Sequence, residues 1–408
     1  MSNAANPCLP ATPAAVAAPG RRMSRTAALW LNASILVAYL AASTAPSPLY
    51  ALYREAWGFS ALTLTLVFST YAFALLASLL FTGALSDHLG RRRVILAAMG
   101  LEIASVLVFR HAESVGWLFA ARAVQGLATG IATSALSAGM LDVDRERGSL
   151  LNSVSPLFGM GSGALVAGAL AQFAPAPTRL VFDVLLAILV AQAAAAFFLP
   201  ETVSPRPGAL ASMKPQLAIP ARARPTLWKV LPGNTAPWAL GGFYASLGPS
   251  LARGITGLHS PLLGGAVVAS LVLSGAVAIL FVRTRPARAV LAGGTAALVV
   301  GLSITLAGVQ LHSIAAFFVG SIIAGLGFGA AFNGTLRSLV PLAEAHERAG
   351  MMSTFFALSY LAFSVPAIAA GLLAGRIGLQ AASIGYGLLL VALGCVALAT
   401  MARSKADA

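Results

Sequence analysis

The chain has 408 residues, of which 58% are hydrophobic and 9% charged. Soluble domains carry roughly 25% charged residues, so this composition excludes an ordinary water-soluble protein and calls for lipid as solvent. The net charge is +14, yet the bases are scattered between long apolar runs and build no single basic face, which speaks against a nucleic-acid partner.

In chain order, residues 1–26 are Ala/Pro-rich and end on Arg21, Arg22 and Arg25, a predicted disordered cytoplasmic tail. A bilayer core needs about 20 apolar residues as helix. Twelve segments qualify, at about 27–50, 61–85, 94–110, 115–141, 150–173, 180–199, 236–256, 261–282, 288–308, 313–339, 350–374 and 379–401. The sequence thus predicts an all-α membrane protein with twelve transmembrane helices. An N-terminal six-helix bundle (27–200) and a C-terminal one (236–402) flank a proline-rich cytoplasmic linker (201–235), with a cytoplasmic tail at 403–408. Within the linker, Leu227–Leu231 reads as a short interfacial helix. Cys8 and Cys395 are far apart and belong to no metal-ligand cluster.

Loop charges set the orientation. With the N-terminus inside, twenty Lys and Arg fall on cytoplasmic segments and five (Arg54, Arg110, Arg179, Arg253, Arg376) on the outside, while Arg122 lies inside a span. Both termini are therefore expected in the cytoplasm of a cell with this protein in its plasma (inner) membrane.

The halves repeat one another. Arg122-x-x-x-Gly126-x-x-x-Gly130 in span four aligns with Ser321-x-x-x-Gly325-x-x-x-Gly329 in span ten. Glu146-Arg147 aligns with Glu347-Arg348, and Pro46-Ser47 of span one with Pro249-Ser250 of span seven. Two six-helix halves with a midplane site between them is a carrier architecture.

After span two comes Gly83-Ala84-Leu85-Ser86-Asp87-His88-Leu89-Gly90-Arg91-Arg92-Arg93. Its acid can meet the start of another helix or an arginine, a charge contact able to hold an inner gate in one state. The plainer reading is a basic loop that enforces topology. This segment resembles the Gly-x-Leu-x-Asp-x-x-Gly-Arg-Arg/Lys signature of the major facilitator superfamily. The corresponding loop in the second half, 283–288, keeps the bases and lacks the acid. Leu118-x-x-x-Arg122-x-x-Gln125-Gly126 is similar to a second signature of that family. The resemblance implies that span four lines the cavity and that Arg122 serves proton transfer or substrate binding. Gly159-x-x-x-Gly163-Ala164-x-x-Ala167-Gly168 resembles the family's antiporter signature, with alanine in place of its proline; small-residue packing is the bland alternative. Leu199-Pro200-Glu201-Thr202 resembles the family's exit from span six.

Arg122 is expected roughly 12 Å below the outer surface, at 1.5 Å per residue. An arginine there costs on the order of 2.5–3.5 kcal/mol to insert, so it should face a wet cavity or a carboxylate. Glu102, at mid-depth on span three, is the acid able to carry a coupling proton or merely to neutralise Arg122. Asp183 is expected at the outer end of span six. By family analogy the substrate cavity draws on Ser43, Thr44, Ser47, Tyr50, Arg122, Gln125, Tyr244, Ser246, Ser250, Asn333, Tyr360 and Ser364. The functional expectation is a drug:proton antiporter-like carrier. It would be monomeric, have no cofactor, draw on the proton gradient, and export a small hydrophobic or weakly polar solute. Proton-coupled uptake of a metabolite and a solute-sensing receptor without transport are the alternatives. The histidines form no cluster, which speaks against a membrane-embedded enzyme.

Overall fold

The structure, a computed structural model, describes residues 23–215, 217–344 and 347–406; the expected tail at 1–22 lies outside the described residues. The first half comprises α1 (Arg25–Thr44), α2 (Pro46–Trp57), α3 (Ala61–Thr82), α4 (Leu85–Leu89), α5 (Arg91–Arg110), α6 (Val115–Val143), α7 (Arg145–Phe173) and α8 (Leu180–Ala196). A connection holding the one-turn α9 (Ala209–Ser212) leads to α10 (Arg224–Ser246), α11 (Gly248–Thr256), α12 (Pro261–Val282), α13 (Ala287–Gln310), α14 (Ile314–Leu339), α15 (Arg348–Ile377) and α16 (Leu379–Ala406). Among the described residues, eight helices are long and apolar enough to cross a membrane, with α1 and α2 together counting as one.

Local chemistry sets many of the ends. The side chains of Ser24, Ser60, Ser260 and Ser313 accept a hydrogen bond from the first-turn N–H groups of α1, α3, α12 and α14, and Asp144 does the same for α7. Span one is not one rod but two, hinged at Ala45 where Pro46 opens α2. Span seven breaks likewise at Leu247, two residues before Pro249. Both half-helices then stop at a glycine with positive φ, Gly58 (66°) and Gly257 (68°). The aligned prolines of the two halves thus produce matching breaks.

The glycine pattern of the repeat has a matching use. A Cβ on Gly130 would lie 2.8 Å from the Leu75 carbonyl of α3, and one on Gly126 would overlap Tyr71 of the same helix. In the second half, Cβ atoms on Gly325 and Gly329 would overlap α12 at Leu271 and Gly275. Span four therefore presses on span two as span ten presses on span eight. Across the halves, α7 packs along α12 and α3 along α15.

Two boundaries differ from expectation. The linker was expected to run to 235, but the chain is helical from Arg224. Pro225 occupies the first turn, where a missing N–H costs nothing. Pro232 and Pro237 lie inside α10, which is held by α15 and α16. Leu227 and Val230 are buried in a core with Leu291, Met351 and Phe355, so this stretch is the beginning of a long helix and not an interfacial one. At the other end, α16 continues through Ala406, taking in most of the expected tail.

Candidate functional site

The first break in the helices makes the centre of the site. Where α1 stops, carbonyls of its last turn become available to other donors. One of them, Ser43 O, accepts a hydrogen bond from Arg122 Nη1 at 2.6 Å. Arg122, on α6, has no exposed surface. Its Nε donates to the Tyr50 hydroxyl (2.8 Å) and Nη1 also to Gln125 Oε1 (2.7 Å). The Gln125 amide then donates from Nε2 to Glu102 Oε1 on α5 at 3.1 Å. The guanidinium is ringed by Tyr50, Tyr71 and Phe109, 5.5–5.6 Å from their centroids. Hydrogen bonds to a charged group contribute about 1.5–3 kcal/mol each. Three of them outweigh the insertion cost of the arginine, with help from the ring faces.

A direct Glu102–Arg122 pair does not form. Gln125 stands between them and bonds to each through one amide. Glu102 Oε2 and Arg122 Nη2 are left buried without a hydrogen-bond partner. Such atoms are rare in folded proteins and mark a place where something else binds or something moves.

The other cavity candidates divide. Ser43 Oγ bonds to Leu40 O, Thr44 Oγ1 to Met160 O, and Ser246 Oγ to Gly242 O, so their hydroxyls are spent on backbone. Tyr244 and Ser321 share a 2.7 Å hydrogen bond. Since Ser321 aligns with Arg122, this is the uncharged counterpart of the arginine site. Ser47 Oγ, Ser364 Oγ and Asn333 Oδ1 are buried and unpartnered, and Ser250 is half-buried. Tyr360 joins an aromatic cluster with Trp238 and Phe363 that composition alone did not single out. A cavity of about 560 Å³ lies elsewhere. It is an apolar groove on the outside of α1, α7 and α8, bordered by the exposed Trp30, Phe158 and Val166.

The antiporter-like glycines are contact points. A Cβ on Gly159 would lie 2.5 Å from Val37 O of α1, and one on Gly163 would overlap Ala41. Gly168 instead faces the other half, 2.6 Å from Pro261 O. On the face away from the chain termini the halves are latched. Glu55 of α2 pairs with Arg253 of α11, and His259 Nε2 is 4.0 Å from the same carboxylate. Asp183 pairs with Arg110 on this face.

On the face of the termini, Arg91 binds Asp87 (2.5 Å), Asp142 (3.3 Å) and Ser86 Oγ (2.6 Å). Of the two glycines in this segment only one makes a turn: Gly83 is helical in φ, while Gly90 sits at φ 95°. The acid at the start of α5 is Glu201, which accepts from Arg91 N (2.7 Å) and Arg92 N (3.3 Å). Asp87 is thus the arginine's partner and not the helix cap. Sequence reading gave Glu201 little weight because the segment carrying it lies 110 residues away. Arg92 Nη1 donates to Phe197 O, Arg147 pairs with Asp144 at 3.7 Å, and Glu146 is exposed in the first turn of α7. In the acid-free second copy, Arg337 donates to the carbonyls of Val282 and Arg285. A Cβ on Gly90 would lie 2.6 Å from Glu201 Oε2, and its φ is strained for any other residue. Gly90→Ala is therefore expected to free the start of α5, as Glu201→Gln does in part. Tryptic cleavage after Arg93 should run about tenfold faster in both, at the roughly 1–2 kcal/mol a lost helix cap costs; unchanged cleavage would count against the cap.

Paired helical groups latched at one face, around a buried arginine relay, have the architecture of a membrane carrier. The chain belongs to the major facilitator superfamily, whose family model matches residues 31–286. Its fold is similar to that of the human organic anion transporter MFSD10 (TETRAN), with 18% identity, TM-score 0.65, and coverage of 92% of this chain and 100% of that one. It is likewise similar to a point mutant of the nucleoside transporter NupG (11%, TM-score 0.70, 92% and 100%). A point mutant of the peptide transporter POT in complex with sulfate matches at 17% and TM-score 0.71, over 92% and 94%. No curated protein matches by sequence.

Proposed function

We propose that this protein is a twelve-span, monomeric secondary transporter of the plasma (inner) membrane. Its two helical bundles, joined by the connection between α8 and α10, alternate access to a midplane site while both termini stay in the cytoplasm. The solute is small, hydrophobic or weakly polar, and leaves the cell in exchange for protons. The observation that carries this reading is the Arg122–Gln125–Glu102 relay. A carboxylate buried at mid-depth, bonded through one oxygen only, is able to take and release a proton. When Glu102 is charged it pulls on Arg122 through Gln125; when protonated it lets go. Arg122 is also bound to the α1 hinge at Ser43 and to Tyr50 of α2, and α2 carries the Glu55 latch. A proton at Glu102 therefore reaches the closed face through three consecutive contacts.

The test is reconstitution in liposomes with an imposed pH gradient and a panel of labelled solutes. Glu102→Gln is expected to abolish gradient-driven flux while leaving solute exchange. Driven flux at the wild-type rate in that variant would remove Glu102 from the coupling step. Comparing solute levels in whole cells with and without the protein separates export, which lowers them, from uptake, which raises them.

A further inference from the structure

The buried polar atoms not used by the relay gather around one aromatic cluster. Phe68 and Tyr71 of α3 meet Trp238 of α10 and Tyr360 and Phe363 of α15. The indole of Trp238 stands edge-on to Tyr360 (5.0 Å), Phe332 (5.8 Å) and Phe363 (5.9 Å). Phe363 in turn lies 5.1 Å from Phe68. The rings come from both halves and sit near the middle of their helices, where α3 crosses α15. Trp238, Tyr360 and Phe332 are only half-buried, so the rings do not form a sealed core.

One donor in this cluster has no acceptor beside it. Trp238 Nε1 is buried without a hydrogen-bond partner. The Tyr71 hydroxyl lies beside Ser43 and Thr129 but makes no hydrogen bond of normal geometry. Buried indole and phenol groups usually find an acceptor. Tyr71 also has the Arg122 guanidinium 5.5 Å from its ring centroid, so one side chain touches both the cluster and the relay.

We propose that this cluster is the solute's recognition surface and that it selects a flat aromatic molecule carrying a hydrogen-bond acceptor. The inference rests on the transporter reading and narrows its substrate class. Offset and edge-on ring faces favour a planar guest, and the orphaned indole donor favours an acceptor on it. Aromatic faces also attract a cation. Behind Tyr71, however, stand both Arg122 and, through Gln125, the carboxylate of Glu102, so the opposed charges leave the acceptor to sort the guests. A guest with an acceptor keeps its ring contacts and the indole hydrogen bond.

Acridine, neutral at pH 8 with one ring-nitrogen acceptor, is a suitable probe. Its controls are anthracene, which has the shape without the acceptor, and N-methylacridinium, which has the charge without the acceptor. Binding of each radiolabelled probe to purified full-length protein in nanodiscs would be read by scintillation proximity, with empty nanodiscs subtracted. Saturable acridine binding is expected to be at least tenfold tighter than that of either control. Trp238→Phe should erase the preference over anthracene while leaving anthracene binding in place. That variant keeps the ring packing, and a monodisperse elution profile would verify its fold. Saturation by N-methylacridinium at lower concentration than acridine, or an acridine preference intact in Trp238→Phe, would overturn the proposal. So would acridine binding no greater than in empty nanodiscs. Saturable binding without flux in liposomes would uphold this surface and defeat the transporter reading. Driven flux of a solute with no dependence on Trp238 would do the reverse.

Discussion

Arg122→Leu is expected to cut gradient-driven flux by more than 100-fold. The substitution removes three hydrogen bonds at once, to Ser43 O, Tyr50 and Gln125. It also leaves a carbonyl, an amide oxygen and a phenol buried with no donor, at about 1–3 kcal/mol each. Glu102 keeps its bond from Gln125 but loses the positive charge of Arg122. Breaking a buried charged network in this way costs about 3–5 kcal/mol, several times the 1.4 kcal/mol that corresponds to tenfold in rate. Arg122→Lys keeps the charge and loses the planar fork that reaches three acceptors in different directions. It should therefore also lose at least tenfold. The check is driven flux and solute exchange in liposomes, normalised to protein recovered in the membrane. Wild-type flux in Arg122→Lys would mean that charge alone matters and that the hinge contact is incidental.

The second large effect separates contacts that must persist from contacts that must break. Gly163 seats α7 on α1 within the first half, where a side chain would overlap Ala41. Gly168, five residues on, seats the same helix on α12 of the other half. In a molecule whose halves move as units, the first contact is permanent and the second is made and broken in each cycle. Gly163→Leu is expected to destabilise the fold by about 3 kcal/mol or more, the upper range for overpacking, and to lower the melting midpoint measured by tryptophan fluorescence in detergent. Gly168→Leu is expected to keep a near-native midpoint and to open the face bearing Glu55 and Arg253. Cysteine accessibility at positions around that latch would report the opening. Equal loss of stability in the two variants would contradict the division into moving halves.

Much of this was legible in the sequence. Apolar period and length give the helices, and the aligned Pro46 and Pro249 of the repeat stand at two matching breaks. The Arg122/Ser321 alignment identified corresponding helices, which use their glycines in the same way. What escaped detection is long-range. Glu201 caps a helix that begins 110 positions earlier, and no local pattern reports such a partner. The Gln125 bridge was hidden because two opposite charges at one depth invite a direct pair; only the structure shows an amide between them. Trp238 was passed over because one tryptophan in an apolar helix carries no signal until three helices bring other rings to it. The linker boundary was misplaced for a related reason. Six prolines read as a break, yet Pro225 sits in the first turn of a helix and Pro232 stands inside it.

The central claim is that the halves rock against each other, so that one face opens as the other closes. Spin labels at Ala56 and Leu258 flank the latched face, and labels at Arg147 and Thr284 flank the opposite one. In a background with Cys8 and Cys395 replaced by serine, pulsed electron–electron distance measurements in nanodiscs would follow both pairs as pH is lowered from 8 to 5. The account predicts opposite changes, the first distance lengthening in the population where the second shortens. Two distances that stay fixed, or that change in the same direction, would contradict it.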